Sequence, residues 1–257
     1  MIITLTTDFG LRDYFVGCVK GAILTIHPLV RLIDLTHEIP PHDISAGAFV
    51  LKESHRYFPK GTVHLAVVDP GVGSARKPII VQAADALFVG PDNGIFSYIL
   101  REPDARAFEI QKSKYVPAAP SPTFQGRDRF APAAAWLSKG IPPEEFGPRV
   151  PAPAGLGLTL PRPLSGNRIE GTVVYIDRFG NLITNVTTVQ LGSKPPARLR
   201  TEGGLEIAVK SSYSEGERTL PAALMNSSGH LEIFLSEGSA RDHLGLAVGS
   251  KVVVERD

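Results

Sequence analysis

The chain has 257 residues, long enough to bury a substantial core without disulfides or metals, as one large domain or two smaller ones. Its formal charge of +1, with no basic run, gives no electrostatic case for nucleic acid or an acidic surface as partner. Cys18 is the only cysteine, which excludes disulfides within the chain and cysteine-based zinc sites, and it falls in an apolar helical pattern as a small core residue.

The first ten residues, MIITLTTDFG, carry no basic region ahead of a long apolar core, so no signal peptide is expected. No apolar run approaches the roughly 20 residues a membrane helix needs. A cytoplasmic protein without membrane or nucleic-acid partners is the expectation.

In chain order, Ile2 to Thr7 is a β-branched run that predicts a strand ending at Asp8. Asp13 then opens a helical pattern with Phe15, Val19, Ala22, Ile23 and Ile26 on one face, stopped by Pro28. A second strand is predicted over Val30 to Leu35, and Asp43 is placed to cap a helix reaching about Phe58. The third strand, Val63 to Val68, leads to Asp69. Ile79 to Gln82 and Ala86 to Val89 predict a hairpin, followed by the turn Gly90-Pro91-Asp92-Asn93-Gly94. A short helix over Ile95 to Leu100, a strand over Ala107 to Ile110 and an alanine-rich helix from Arg127 or Asp128 to Lys139 complete the pattern. Strands alternating with helices imply an α/β domain over 1–145, with a mostly parallel sheet covered by helices on both faces.

The character then changes. Prolines and glycines at short intervals over 146–166 predict a linker. Beyond it, over 167–257, strands are predicted at Glu170 to Ile176, Leu182 to Val186, Ala197 to Thr201, Leu205 to Val209, Leu231 to Leu235 and Lys251 to Glu255. Only Arg241 to Leu244 suggests helix. Short strands at regular spacing imply a smaller all-β domain, a sandwich or barrel.

The stretch Val67-Val68-Asp69-Pro70-Gly71-Val72-Gly73-Ser74-Ala75-Arg76-Lys77 carries the clearest chemistry. Groups just past the carboxyl ends of strands face the ligand crevice of an open α/β sheet. Gly71 and Gly73 permit a tight turn that returns Arg76 toward Asp69, and such a pair can hold a water molecule. The bland alternative is a salt bridge that only closes a loop. The two glycines do not make a dinucleotide fingerprint, since the third is missing and no helix follows directly.

Asp8, Asp92 and Asp177 are further strand-end carboxylates. Asp8 either accepts from ribose hydroxyls or caps a turn; Asp92 fits a structural Asp-Asn-Gly turn, and Asp13 taken alone reads as a helix cap. Asp177 and Asn181 flank a turn and together present a carboxylate and an amide able to hold an amine or a polar base edge. Asn226-Ser227-Ser228-Gly229 is a second polar turn with donors for a carboxylate. His27, His37, His42, His55, His64, His230 and His243 show no metal-ligand spacing, so no metal is expected, and His64 reads as a core residue. A Ser/His/Asp reading lacks the nucleophile elbow.

Seven motifs run in order over nearly the whole chain: TTDFGLRDYFVGCVKG, LTHEIPPHDISAGAFVL, VHLAVVDPGVGSARKP, VGPDNG, TFQGRDRFAPAAA, YIDRFGNLITNV and NSSGHLEI. Together they resemble the S-adenosyl-L-methionine (SAM) hydroxide adenosyltransferase family, hydrolytic relatives of the fluorinase and chlorinase. The resemblance implies an N-terminal α/β domain with a C-terminal β-barrel. It also implies a homotrimer or dimer of trimers, with each site between one subunit's N-terminal domain and its neighbour's C-terminal domain. The substrate would be SAM, with adenosine as product and no cofactor. Asp69 and Arg76 match two of the three residues credited with activating water. The third is usually a histidine, where this chain has Gln125, which orients a water but takes no proton. Asp8 matches the ribose-binding aspartate, and Asp13 falls at a second acidic position near the methionine end. Asp177 and Asn181 match positions that bind the substrate from the second domain, and Ser227, Ser228, Glu232 and Leu235 lie where the family contacts methionine or adenine. Two rival readings stand beside hydrolysis. One is halogenation, against which Asp69 occupies the place of the fluorinase tyrosine. The other is a non-catalytic adenosine or SAM binder.

Overall fold

The β-branched run at the N-terminus forms an inner strand of a seven-stranded sheet, β1 (Ile2–Thr7), buried along nearly its whole length. The computed structural model describes residues 1–111, 113–117, 122–192, 196 and 198–256; Ala197, expected to open a strand, lies outside them. The chain divides into two compact units, Met1–Gly157 and Leu158–Asp257.

In the first unit β1 pairs in parallel with β2 (Arg31–Thr36) and β3 (Val63–Val67). The sheet continues through β4 (Pro78–Ala83), β5 (Ala86–Pro91), β6 (Arg106–Glu109) and β7 (Arg149–Val150), in the order β2-β1-β3-β5-β4-β6-β7. β5 joins β3 in parallel, whereas β4 and β7 run against their neighbours. The sheet is therefore mostly parallel, with a hairpin reversal at β4–β5, where Ala84 and Asp85 both adopt positive φ.

Side chains alternate between its two faces. Ile3, Leu5, Val63, Leu65 and Val67 join a core with Val19 and Ile23 of α1 (Phe15–Ile26) and the alanines of α3 (Ala131–Ser138). Ala131, Ala133, Ala134 and Ala135 are fully buried, their small side chains letting α3 lie close to the strands. The opposite face carries α2 (Ile44–Ser54), whose Gly47 meets Val68 and whose following 3₁₀ turn sets His55 against His64. Asp43 caps α2 as expected, accepting from the Ala46 amide at 2.9 Å.

Three local expectations are corrected. The residue before α1 is Tyr14, with no side-chain cap, and Asp13 is exposed, so Asp13 does not cap that helix. The region after Gly94 forms turns with only a short 3₁₀ segment, Ile99–Arg101, instead of a helix over 95–100. The helix expected from Arg127 is preceded by a widened π turn over Gly126–Phe130.

The Pro/Gly-rich stretch read as a linker also pairs at two places. β7 lies on the edge of the first sheet, and β8 (Arg162–Pro163) lies beside β9 (Arg168–Ile176) in the second unit. Two-residue edge strands tolerate proline because one side of their backbone needs no partner.

The second unit is a closed barrel. β10 (Leu182–Thr187), β11 (Arg198–Thr201), β12 (Glu206–Val209), β13 (Ala222–Met225), β14 (His230–Phe234) and β15 (Lys251–Glu255) join β9 in the order β10-β14-β13-β12-β11-β15-β9, closed by β9–β10. Closure removes the sheet edges. Ile169, Val173, Leu199, Leu231, Ile233, Val252 and Val254 fill the interior. Strand β13 was absent from the sequence reading. Two one-turn helices, α4 (Thr188–Leu191) and α5 (Ala240–Leu244), complete the unit, so helices are few. Among the described residues no helix is long and apolar enough to cross a membrane.

Candidate active site

The carboxyl ends of β1 and β3 lie side by side, and the chain leaving each supplies an aspartate, Asp8 and Asp69. After Asp69 a tight turn folds the chain back: Val72 N donates to Asp69 O, Ser74 N to Gly71 O, and Gly73 takes φ 82°. The turn returns Arg76 onto Asp69. Arg76 Nε donates to Asp69 Oδ1 at 3.0 Å, and Arg76 Nη2 closes on Asp69 Oδ2. The side chains are 9% and 5% exposed. Such a fork-to-fork pair is strong and directional.

The guanidinium also lies over the Phe130 ring, 5.4 Å from its centroid. Its remaining nitrogen, Nη1, is buried without a hydrogen-bond partner among the described residues, as is Oε1 of Gln125. Gln125 precedes the π turn, in which the Ala131 amide reaches Gly126 O, and Gln125 is one widened turn from Phe130. π turns recur at functional sites. Two buried polar atoms left open, one donor and one acceptor, are what a small polar ligand would satisfy.

Asp8, Asp69 and Gln125 line a cleft of about 690 Å³. One wall is aromatic: Phe9, Phe15 and Phe124 meet with ring centroids 5.4–6.1 Å apart. Asp8 Oδ2 accepts from the backbone N of His42 at 2.9 Å, and His42 itself adopts φ 70°. The aromatic wall and His42 were not singled out in the sequence. The phenylalanines were legible only as core residues, and a positive φ at a histidine leaves no signal. Asp13 is absent from this lining, although its neighbour Tyr14 belongs to it.

Asp92 stands apart, accepting from Ala154 N at 2.7 Å. Burial raises its carboxyl above the usual range, partly offset by that bond and by Lys77. It is a structural turn residue, as the Asp-Asn-Gly pattern implied.

In the barrel unit Asp177 closes the turn between β9 and β10. Its Oδ1 accepts from Phe179 N and Asn181 N, both at 2.9 Å, and its Oδ2 from Asn181 Nδ2 at 3.0 Å. Gly180 is required there: φ is 83°, and a Cβ would fall 2.2 Å from Ser239 Oγ. Asp177, Asn181 and Leu235 line a second recess, of about 550 Å³, together with Phe179, Tyr213 and Phe234.

Glu232, 2% exposed, lies behind it. Its oxygens accept from Tyr213 Oη at 2.6 Å and Asn226 Nδ2 at 2.9 Å. Burial and the neighbouring Glu232 both hold the Tyr213 phenol far above its ordinary range. Ser227 is exposed, and Ser228 donates its backbone N to Asn226 Oδ1; neither lines the recess. Asn226 is the organising residue of that turn. Tyr213 was missed because it falls in a stretch, 210–221, without periodicity.

Comparison with known proteins gives this geometry its context. Residues 3–147 match the SAM hydroxide adenosyltransferase N-terminal domain and residues 171–253 the C-terminal domain. The chain is 40% identical to a Thermus thermophilus protein named (R)-S-adenosyl-L-methionine hydrolase, covering 96% of each. It is 28% identical to a protein of an Actinoplanes species named fluorinase, covering 99% of this chain and 97% of that one. A crystal structure of an uncharacterized conserved protein from Thermotoga maritima superposes with a TM-score of 0.90 at 32% identity, covering all of both chains. With both domain models matched in order over most of its length, the chain belongs to the SAM hydroxide adenosyltransferase family.

Proposed function

We propose that the protein hydrolyses S-adenosyl-L-methionine to adenosine and L-methionine by in-line attack of water at the ribose C5′ carbon. The observation that carries this reading is the buried Asp69–Arg76 pair at the end of β3, with Arg76 Nη1 unpartnered among the described residues and Gln125 lining the same cleft as Asp69. The relative from Thermus thermophilus, by its name, supports the substrate.

The chemistry makes few demands on the leaving side. The sulfonium is a cation and departs with the C5′–S electron pair as a neutral thioether, so no general acid is required. The O–C5′ bond forms from the opposite face, and the surplus proton of water passes to solvent. What must be supplied is a held and polarised water. Arg76 stabilises negative character growing on its oxygen. Both Asp69 oxygens are engaged by Arg76, so Asp69 acts by fixing the guanidinium and orienting the water more than as a strong base. Gln125 accepts a hydrogen bond from the water and leaves its proton in place. No metal or cofactor enters these steps.

Asp8 is assigned to the ribose hydroxyls, and Asp177 with Asn181 to the polar edge of the substrate from the barrel unit. Glu232 acts by holding Tyr213 and Asn226, since both its oxygens are already engaged. Leu235 contributes apolar lining. Asp13 remains assigned to the methionine end, and Ser227 and Ser228 to methionine or adenine. The assembly proposed is a homotrimer or dimer of trimers, in which the cleft of one protomer and the barrel recess of a neighbour build one site. Large apolar groups exposed at each, Phe179 at 74% and Val72 at 41%, support a partner surface.

Incubation with SAM in ¹⁸O-labelled water tests the reading. Methionine should appear with adenosine carrying one heavy oxygen at O5′. Absence of both products overturns it. Halide-containing reactions that yield a 5′-halo-5′-deoxyadenosine would favour the halogenase reading, which Asp69 opposes because a carboxylate repels a halide. Tight adenosine binding without turnover would favour a non-catalytic binder. Sedimentation with and without SAM tests the assembly.

A further inference from the structure

Behind the cleft a line of polar contacts runs from the surface to the turn that carries Asp8. Lys20 Nζ donates to Asp34 Oδ2 at 2.6 Å, and Asp34 Oδ1 lies 3.1 Å from His37 Nε2. His37 Nδ1 is 2.8 Å from Thr7 Oγ1, and Thr7 Oγ1 accepts from Phe9 N at 3.2 Å. His37 is 3% exposed and Thr7 1%, whereas the Asp34 side chain is 38% exposed.

His37 Nε2 is buried without a hydrogen-bond partner among the described residues, although Asp34 Oδ1 lies 3.1 Å away; with Nε2–H turned to that carboxylate, which only accepts, Nδ1 is the acceptor. Thr7 Oγ–H then donates to Nδ1, leaving the oxygen's lone pairs for the Phe9 amide. That last bond, from a threonine to the amide two residues on, wraps the backbone around Asp8. The two segments are also laced by Gly10 N donating to His37 O at 2.8 Å, Ile39 N to Thr7 O at 3.3 Å and His42 N to Asp8 Oδ2 at 2.9 Å.

We propose that His37 and Thr7 are positioning residues for the Asp8 turn, setting affinity at the ribose end of the cleft without touching substrate. The inference rests on the assignment of Asp8 to the ribose given above. His37 belongs to the segment that meets Asp8, and Thr7 to the strand that delivers it, so their bond ties the two sides of the turn together at one buried point.

The test compares Thr7→Val and His37→Leu, which remove the bond, with Thr7→Ser and His37→Asn, which keep a hydroxyl and an acceptor at the same places. Steady-state hydrolysis of SAM, adenosine binding by calorimetry and backbone amide exchange at Phe9 and His42 are measured on each. Thr7→Val and His37→Leu should raise both KM and the adenosine Kd about tenfold, leave kcat within about threefold and speed exchange at both amides. Thr7→Ser and His37→Asn should restore the parent values to within about twofold. Unchanged KM and exchange in folded Thr7→Val and His37→Leu overturn the proposal, as does a loss of stability and kcat that the conservative variants do not rescue. If the apolar variants do not fold, Asp34→Ala, at a partly exposed position, carries the test: it should raise KM about threefold and speed Phe9 exchange, and parent-like values of both overturn the idea. Parent protein that neither turns over SAM nor binds adenosine overturns the functional reading instead. Exchange at Phe9 and His42 then still decides whether the pair holds the turn.

Discussion

Arg76 reaches back seven residues to take both oxygens of Asp69, through Nε at 3.0 Å and through Nη2, and keeps Nη1 buried and unpaired among the described residues. A carboxylate with both oxygens taken holds its partner in one orientation. The pair therefore predicts a division of labour in which the cation acts on the reaction and the anion aims the cation.

Asp69→Asn and Arg76→Lys should bind SAM and adenosine within a few-fold of the parent and lose about 10²–10³ in kcat. Lysine keeps the charge but cannot reproduce the fork, which separates geometry from charge. Arg76→Ala should in addition lose about 3–5 kcal/mol of stability, because it strands a buried carboxylate. Parent turnover in Asp69→Asn and Arg76→Lys would show that the pair only closes its loop.

Gln125→His replaces an orienting amide with a group that takes a proton. A bell-limb near the ordinary imidazole range, around pH 6.5, should appear in the kcat/KM profile of the variant and be missing from the parent. Coincident profiles would mean that the position only orients water. Gln125→Leu should lower kcat by at least about tenfold.

Tyr213→Phe removes the hydroxyl that donates to Glu232 at 2.6 Å and leaves one oxygen of a 2%-exposed carboxylate without its partner. The expected cost is about 1–3 kcal/mol, read by denaturant unfolding. Tyr213→Phe/Glu232→Gln should recover part of it, since a neutral amide is easier to bury.

His64 is fully buried on β3, its Nδ1 2.7 Å from Thr4 Oγ1 and its ring stacked on Phe88. Burial, with a smaller contribution from His55, lowers its pKa to about 3. The unfolded chain takes up this proton near pH 6.5 while the folded protein resists it to about pH 3, so stability falls as the pH drops through that window. The contribution to the slope is about 1.4 kcal/mol per pH unit. Thr4→Val/His64→Phe, which replaces the pair with apolar groups, should flatten the acid limb in urea titrations between pH 6.5 and 4. An unchanged limb would assign the acid sensitivity elsewhere.

Gly90 in β5 has no room for a side chain: a Cβ would fall 2.2 Å from Ala66 O and 2.9 Å from the Phe96 ring. Gly90→Ala should destabilise the first unit by at least about 1–3 kcal/mol. Gly17→Ala, on an open face of α1 where a Cβ would meet no other part of the described chain within 4 Å, should stabilise it by about 0.5–1 kcal/mol. Equal effects of the two in thermal melts would contradict the close approach at β5.

Much of this was present in the order of residues. Strand runs ending at Asp8 and Asp69, the glycines that return Arg76, and the change from helix-and-strand alternation to strands alone are local patterns. Local patterns set periodicity and turn geometry directly. The two units and the Asp69–Arg76 pair follow from them. Sequence also carried the family motifs, including the glutamine that stands in place of the expected histidine.

Only the folded chain decided the rest. Whether Asp13 caps α1, whether Asn226 or the serines beside it organises their turn, and that Tyr213 and Glu232 meet all depend on contacts between distant residues. So do the pairing of His37 with Thr7 and the closing of β9 onto β10. The physical reason is the same throughout. A residue's intrinsic preferences act over a few neighbours, whereas burial and hydrogen-bond satisfaction are settled by whatever the three-dimensional packing brings alongside it.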